Sequence, residues 1–202
     1  SFRSERLADF VKALLDEDTA AARALYAALH SSYPIVMTRD LAQAKAWVRG
    51  KVRGTERCGL LASSEGKRIR ALGIWVPAEI DHVGWFLNGK EHVNSSYYLE
   101  VPASEFKIQG LEIDYALLAW DADFRYANGA FSYYRFRGSS WIHVHRAEKQ
   151  KYLKNAYRVL LTRARQGLVI YVPEGDLDDV TRLPEYYDGT YAYLRSLGIW
   201  ET

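Results

Sequence analysis

The chain has 202 residues, 49% apolar and 26% charged, with a formal net charge of +2. That is an ordinary globular composition with room for one sizeable core, and the charge is too small to argue for nucleic acid without local clustering. Cys58 is the only cysteine, which excludes an intrachain disulfide and a four-cysteine zinc site and suits a reducing cytoplasm; no apolar run is long enough for a membrane span, and the early charges at Arg3, Glu5 and Arg6 do not read as a signal peptide.

Leu7, Phe10, Val11, Leu14 and Leu15 recur at helical spacing, so the sequence predicts a helix over 4–15 with Ser4 as its cap. The alanine-rich stretch 19–29 predicts a second helix. Pro34 opens a short strand, 35–38, and Asp40 can cap a helix running through Trp47 and Val48. Residues 58–62 read as a buried strand, followed by Ser63-Ser64 and a basic turn, Lys67-Arg68-Ile69-Arg70. Residues 73–97 are aromatic and weakly periodic and read as an irregular insertion. Residues 98–101 read as a short strand, and 113–120, apolar almost throughout, as a strand covered on both faces.

A second insertion, about 121–146, contains Asn128-Gly129, a β-hairpin signal. The stripe Leu153, Ala156, Tyr157, Leu160, Leu161 and Ala164 predicts a helix over 147–165, which Gly167 can end. A strand over 168–172 follows, closed by Pro173, and a polar acidic loop at 174–182 leads to a last helix around 189–197. Strands alternating with helices predict a single α/β domain, its mainly parallel sheet carrying helices on both faces.

Two segments carry chemistry. Ser104 to Glu112 ends in the turn Gln109-Gly110-Leu111-Glu112. Ligands of such sheets sit beyond the carboxyl ends of the strands, and this turn is a candidate edge of that site. Gly110 permits a positive φ, and Glu112 can accept hydrogen bonds from a ribose hydroxyl; a plain turn with a solvated carboxylate is the alternative. Residues 157–165 end in Thr162-Arg163-Ala164-Arg165. An arginine aimed at a γ-phosphate is worth roughly 10³–10⁵ in the rate of nucleotide hydrolysis. Basic residues in a last helical turn also simply complement the helix dipole. On one helix, residues 163 and 165 point about 200° apart, so one alone can face a cleft.

The hairpin segment interleaves rings and cations, among them Tyr133, Arg135 and Arg137. Single-stranded nucleic acid is bound this way, each base stacking on a ring for about 1–3 kcal/mol. Alternation nevertheless turns half of these rings inward, so packing slightly outweighs binding. His143 and His145 can share a strand face, but without matching cysteines or carboxylates they read as ordinary histidines, and no metal site is expected. Glu100, Glu112, Asp114, Asp121 and Asp123 offer a magnesium-dependent nuclease as a minor alternative.

Taken together, the motifs resemble those of the second RecA-like domain of a superfamily 1 helicase. Ser104, Phe106, Gln109, Gly110 and Glu112 stand at the offsets of motif V, and Thr162 to Arg165 match motif VI. Ser1-Phe2-Arg3-Ser4 resembles motif IV, and Met37 to Gln43 the segment after it; the four occur in family order over residues 1–165. Phe106 stands where histidine is usual and Phe2 where tyrosine is common. The long insertions and the run Gly59-Leu60-Leu61-Ala62-Ser63-Ser64 are similar to a bacterial branch of helicase-like ATPases related to schlafen proteins.

The resemblance implies ATP and magnesium bound between this domain and an N-terminal RecA-like domain. Phe2 would stack on the base, with Gln109, Gly110 and Glu112 at the nucleotide and Arg3 and Arg163 at the γ-phosphate. Thr38, Arg39, Ser63, Ser64 and Ser104 would meet the backbone of DNA or RNA. No G-x-x-x-x-G-K-[S/T] phosphate loop occurs in the chain. The expectation is therefore the C-terminal half of an ATP-dependent helicase or translocase-like ATPase, inactive alone. The alternative is a non-catalytic nucleic-acid-binding module of the same fold.

Overall fold

The computed structural model describes residues 2–75, 85, 95–96, 99–108 and 110–202. Most of the 73–97 insertion, Tyr98 and Gln109 lie outside the described residues.

Helix α1 (Phe2–Leu15) buries Leu7, Phe10, Val11, Leu14 and Leu15 along one face. It starts earlier than the apolar periodicity places it, and Ser4 lies inside its first turn rather than capping it. The guanidinium of Arg6 packs 4.0 Å from the Phe2 ring one turn away, which continues the helix through those residues. Helix α2 (Thr19–Leu29) is capped by Asp18, whose carboxylate accepts from the Ala21 amide. Strand β1 (Ile35–Thr38) and helix α3 (Leu41–Lys51) follow as expected, with Asp40 accepting from the Gln43 amide at 3.1 Å.

Strand β2 (Cys58–Ala62) leads to a one-turn helix, α4 (Glu105–Ile108), and strand β3 (Ile113–Ala119). Of the strand expected at 98–101, the described residues 99–101 form none: Leu99 adopts φ +56°. Ala103 takes the edge of β2 instead, through a single parallel bridge to Leu61. Strands β4 (Phe124–Ala127), β5 (Ala130–Arg137) and β6 (Ser140–His143) form a separate antiparallel sheet. Asn128 and Gly129, both at positive φ, make the anticipated two-residue turn. The hairpin signal does not extend to the third strand, which the structure adds.

Helix α5 (Ala147–Thr162) stops short of the expected 165, and strand β7 (Ala164–Tyr171) starts two residues on. Arg165 and Gly167 therefore lie in a strand. The Thr162 hydroxyl donates back to the Arg158 carbonyl at 2.8 Å, and the Tyr33 hydroxyl donates to the Ala164 carbonyl at 2.8 Å, committing that residue to the sheet. Ala164 is buried in the sheet, a burial that also fits the helical stripe, so periodicity alone misplaces the junction. Helix α6 (Glu185–Ser196) and strand β8 (Trp200–Glu201) complete the chain.

The main sheet runs β2-β3-β7-β1-β8, every neighbouring pair parallel. Ile35, Met37, Leu118 and Ile170 face one way, into a core shared with α1, α2, α5 and α6. Val36, Leu60, Leu117 and Val169 face the other, against Ala44 and Val48 of α3. Each such fully buried side chain contributes about 1.5–3 kcal/mol, which is why the central strands are apolar on both faces. No described helix is long and apolar enough to cross a membrane.

Candidate functional site

Strands β3 and β7 are neighbours that start at one level, Ile113 opposite Ala164. The residues just before them, Glu112 and Arg163, are thereby brought together from segments fifty residues apart. The first turn of α1 adds Phe2 and Arg3, the latter reaching the Arg165 carbonyl at 3.5 Å. Phe2, Arg3, Arg6, Glu112, Arg163 and Arg165 line one cleft of about 900 Å³. A second hollow of about 600 Å³ shares Glu112, Arg163 and Arg165 and continues to Gly110, whose φ is +84°, a conformation glycine permits. This cleft lies at the amino ends of β3 and β7. The expectation of a site beyond the carboxyl ends is corrected: the turn enters its strand rather than leaving it.

Four arginines face one carboxylate among the described residues lining the larger cleft. Arg165 is neutralised: it pairs with Asp114 at 2.9 Å and lies 3.9 Å from Glu112. Burial pushes the Asp114 carboxyl up, but hydrogen bonds from the Arg57 amide, Gln166 and Arg165 outweigh it and hold it below the usual value. Reciprocally, the hydrogen bond and charge of Asp114 raise Arg165. Arg163, at the helix–strand junction, makes no hydrogen bond or ion pair among the described residues, and its Nε is buried without an acceptor. The sequence marked Arg163 but not Arg6, Arg57 or Tyr33; of these only Arg6, one helical turn from Phe2, left a spacing signal.

The residues expected at nucleic acid gather at the opposite, carboxyl edge, and most are already engaged. Thr38 is buried and its Oγ1 accepts from the Asp40 amide at 3.1 Å. Arg39 donates to the Pro173 carbonyl at 2.7 Å and pairs with Asp188 at 2.8 Å. Ser63 and Ser104 are buried. Ser64 gives its amide (2.8 Å) and hydroxyl (2.7 Å) to Glu105. Tyr133 packs inward, 5.5 Å from the Phe124 ring, and Arg135 lies 3.5 Å from Glu65. Arg137 is exposed, with no ion pair among the described residues.

Asp121 and Asp123 are wholly buried behind this edge. Asp121 accepts from the Tyr187 hydroxyl and from the amides of Ala122, Arg68 and Ile69. Asp123 accepts from the Tyr157 hydroxyl at 2.6 Å, and the Ser63 hydroxyl also favours its charged form. Burial, then the charge of Asp121, pushes Asp123 up to about 7. Burial raises Asp121 as well, but its hydrogen bonds from Ala122, Tyr187, Arg68 and Ile69 counter that rise, so the proton resides on Asp123. Sealed from solvent, the pair has no open face for a hydrolytic magnesium, and Glu112 and Asp114 stand at the other edge. The exposed rings of His143 and His145 touch, Nδ1 to Nδ1 at 3.1 Å, and no group of three metal-ligating side chains occurs among the described residues.

A parallel α/β domain with an arginine-lined cleft along its amino edge is the class that fold and site define. Residues 1–174 match the family described as Schlafen group 3, DNA/RNA helicase domain. The chain belongs to that family, and its function is helicase-like at that breadth. No curated protein matches the chain.

Proposed function

We propose that the chain is the C-terminal, RecA-like half of an ATP-dependent helicase or translocase of superfamily 1, in the bacterial schlafen-related branch and acting in the cytoplasm. ATP and magnesium would be held jointly with an N-terminal RecA-like domain bearing the phosphate loop. The observation that carries this reading is the contrast between Arg163 and Arg165: one has a buried nitrogen with no acceptor, the other is tied to Asp114. A buried donor left unsatisfied costs about 1–3 kcal/mol, a cost that an anionic ligand in the cleft removes. Phe2, 69% exposed, offers a ring face to the base, with Arg6 packed 4.0 Å over the ring. Glu112 is open to ribose hydroxyls beside Gly110, Gln109 is proposed at the nucleotide on the motif alone, and Arg3 and Arg163 supply positive charge to the γ-phosphate.

Single-stranded DNA or RNA would run along the carboxyl edge. Arg135 and Arg137 on β5 are its contacts, and Thr38, Arg39, Ser63, Ser64, Ser104 and Tyr133 are the further residues proposed along its path. The test compares Arg163→Ala with Arg165→Ala in protein that carries the phosphate-loop domain. Arg163→Ala should lower kcat by roughly 10³-fold or more and change nucleotide Kd much less, because the arginine acts mainly on the transition state. Arg165→Ala should cost far less turnover. The reverse pattern, in variants shown by thermal melts to be folded, overturns the assignment.

A further inference from the structure

We propose that the basic turn after β2, with Trp75 and Phe136, is a second contact site for single-stranded nucleic acid: a preformed corner where cations meet phosphate and an indole meets a base. The inference rests on the nucleic-acid-directed reading above and adds residues that no motif marks.

The turn is held from beneath. Oδ2 of the buried Asp121 accepts from the backbone amides of Arg68 (2.9 Å) and Ile69 (3.3 Å), and the Tyr187 hydroxyl fixes the same carboxylate through Oδ1. The Ile69 side chain is wholly buried. Gly66 passes so close to the Ser63 carbonyl that an added Cβ would lie 3.0 Å from it. The backbone is thus ordered before any ligand arrives, which spares the ordering cost of binding.

What the turn presents outward is positive and aromatic. Lys67 and Arg70 are exposed and make no ion pair among the described residues. Arg70 lies 3.8 Å over the Trp75 ring, yet Trp75 remains 60% exposed. Arg68 is anchored by Thr181 (2.8 Å) and Asp179 (3.4 Å) and stacks 5.2 Å from the Phe136 ring. These side chains line a hollow of about 280 Å³ with no carboxylate among its described lining residues. The hollow of about 400 Å³ between Phe106 and Tyr152 offers the contrast: there Arg135 and Lys149 are balanced by Glu65 and Glu148. Rings with uncompensated cations suit a phosphodiester strand, because every base has a face to stack and every nucleotide a charge to neutralise.

The experiment measures binding of labelled oligothymidylate and oligouridylate to this chain by fluorescence anisotropy across a salt series. The variants are Lys67→Glu/Arg70→Glu, its milder form Lys67→Gln/Arg70→Gln, and Trp75→Ala, with Lys151→Glu as a control for net charge on a distant exposed helix. The double Glu variant should weaken binding at least tenfold. The Gln form should lower the slope of log K against log salt by roughly 0.7 for each phosphate that is no longer neutralised. Trp75→Ala should weaken binding about tenfold, within the range for one stacked base. Equal weakening on both oligomers assigns the interaction to phosphate and base, and weakening on one alone adds a sugar interaction; either supports the site. Unchanged affinity and slope in the variants, with the unaltered chain binding, overturns the site and leaves the nucleic-acid reading standing. No binding of either oligomer by the unaltered chain overturns both.

Discussion

The buried carboxyl of Asp123 makes a prediction that a single substitution can test. A carboxyl raised by burial favours the folded state while protonated, so its contribution is complete below about pH 4 and is lost as pH rises through about 7. The lowered carboxylates act elsewhere: Asp16, held near 2 by hydrogen bonds from Lys12 and Lys154, weakens the fold only at strongly acidic pH. Thermal stability should therefore fall between pH 5 and pH 8, by at least about 1 kcal/mol, or roughly 2–4 °C for a domain of this size. Asp123→Asn keeps an acceptor for Tyr157 and should flatten that slope. A melting temperature of the unaltered chain that is level across the window shows that Asp123 is charged in the folded state. Neither the proton nor the burial was legible in the sequence, where Asp121 and Asp123 counted among five carboxylates offered to a magnesium-dependent nuclease. Only the seating of Tyr157 and Tyr187 over them reverses that reading.

Elements were legible where a local signal fixes them. Asp18 and Asp40 cap helices, and Asn128-Gly129 turns a hairpin, each within a few residues. Where the decision is tertiary, the sequence misleads. The end of α5 is set by Tyr33, more than a hundred residues away, which holds Ala164 in the sheet. The three-stranded sheet shows a similar division along β5. Phe131 packs at 4.2 Å on Phe124, Tyr133 at 5.5 Å, and the same face then emerges from the core at Arg135 and Arg137. One face thus has an apolar half that packs and a basic half that can bind. Arg135→Ala with Arg137→Ala should weaken single-strand binding and lower the salt slope without moving the melting temperature. Tyr133→Ala should instead lower stability by about 1–2 kcal/mol and leave the slope alone. If the tyrosine rather than the arginines governs the salt slope, the division of this strand is misplaced.

At the scale of the molecule, the two edges of one parallel sheet carry different chemistry. The amino edge gathers Phe2, Arg3, Glu112 and Arg163 about a cleft, and the carboxyl edge gathers loops fixed by Glu105 and Asp121. The residues of the cleft were legible because motif spacing survives long insertions. Their placement at the amino edge was not, since it depends on which strands are neighbours. The cleft also determines what the chain can do alone. Its described lining offers arginines but no lysine, and the sequence contains no G-x-x-x-x-G-K-[S/T] motif to cradle a triphosphate. Arginines on one side can attract phosphate without aligning the attacking water and leaving group, and alignment supplies most of the catalysis in phosphoryl transfer. The 202-residue chain should therefore bind ATP weakly, with an affinity that falls as salt rises, and should hydrolyse none, with or without single strands present. Steady-state phosphate release checks this, with Arg163→Ala prepared in parallel to expose contaminating ATPases. Turnover that persists through purification and disappears in that variant would mean that the cleft is complete within this chain, and the half-motor reading would then fail.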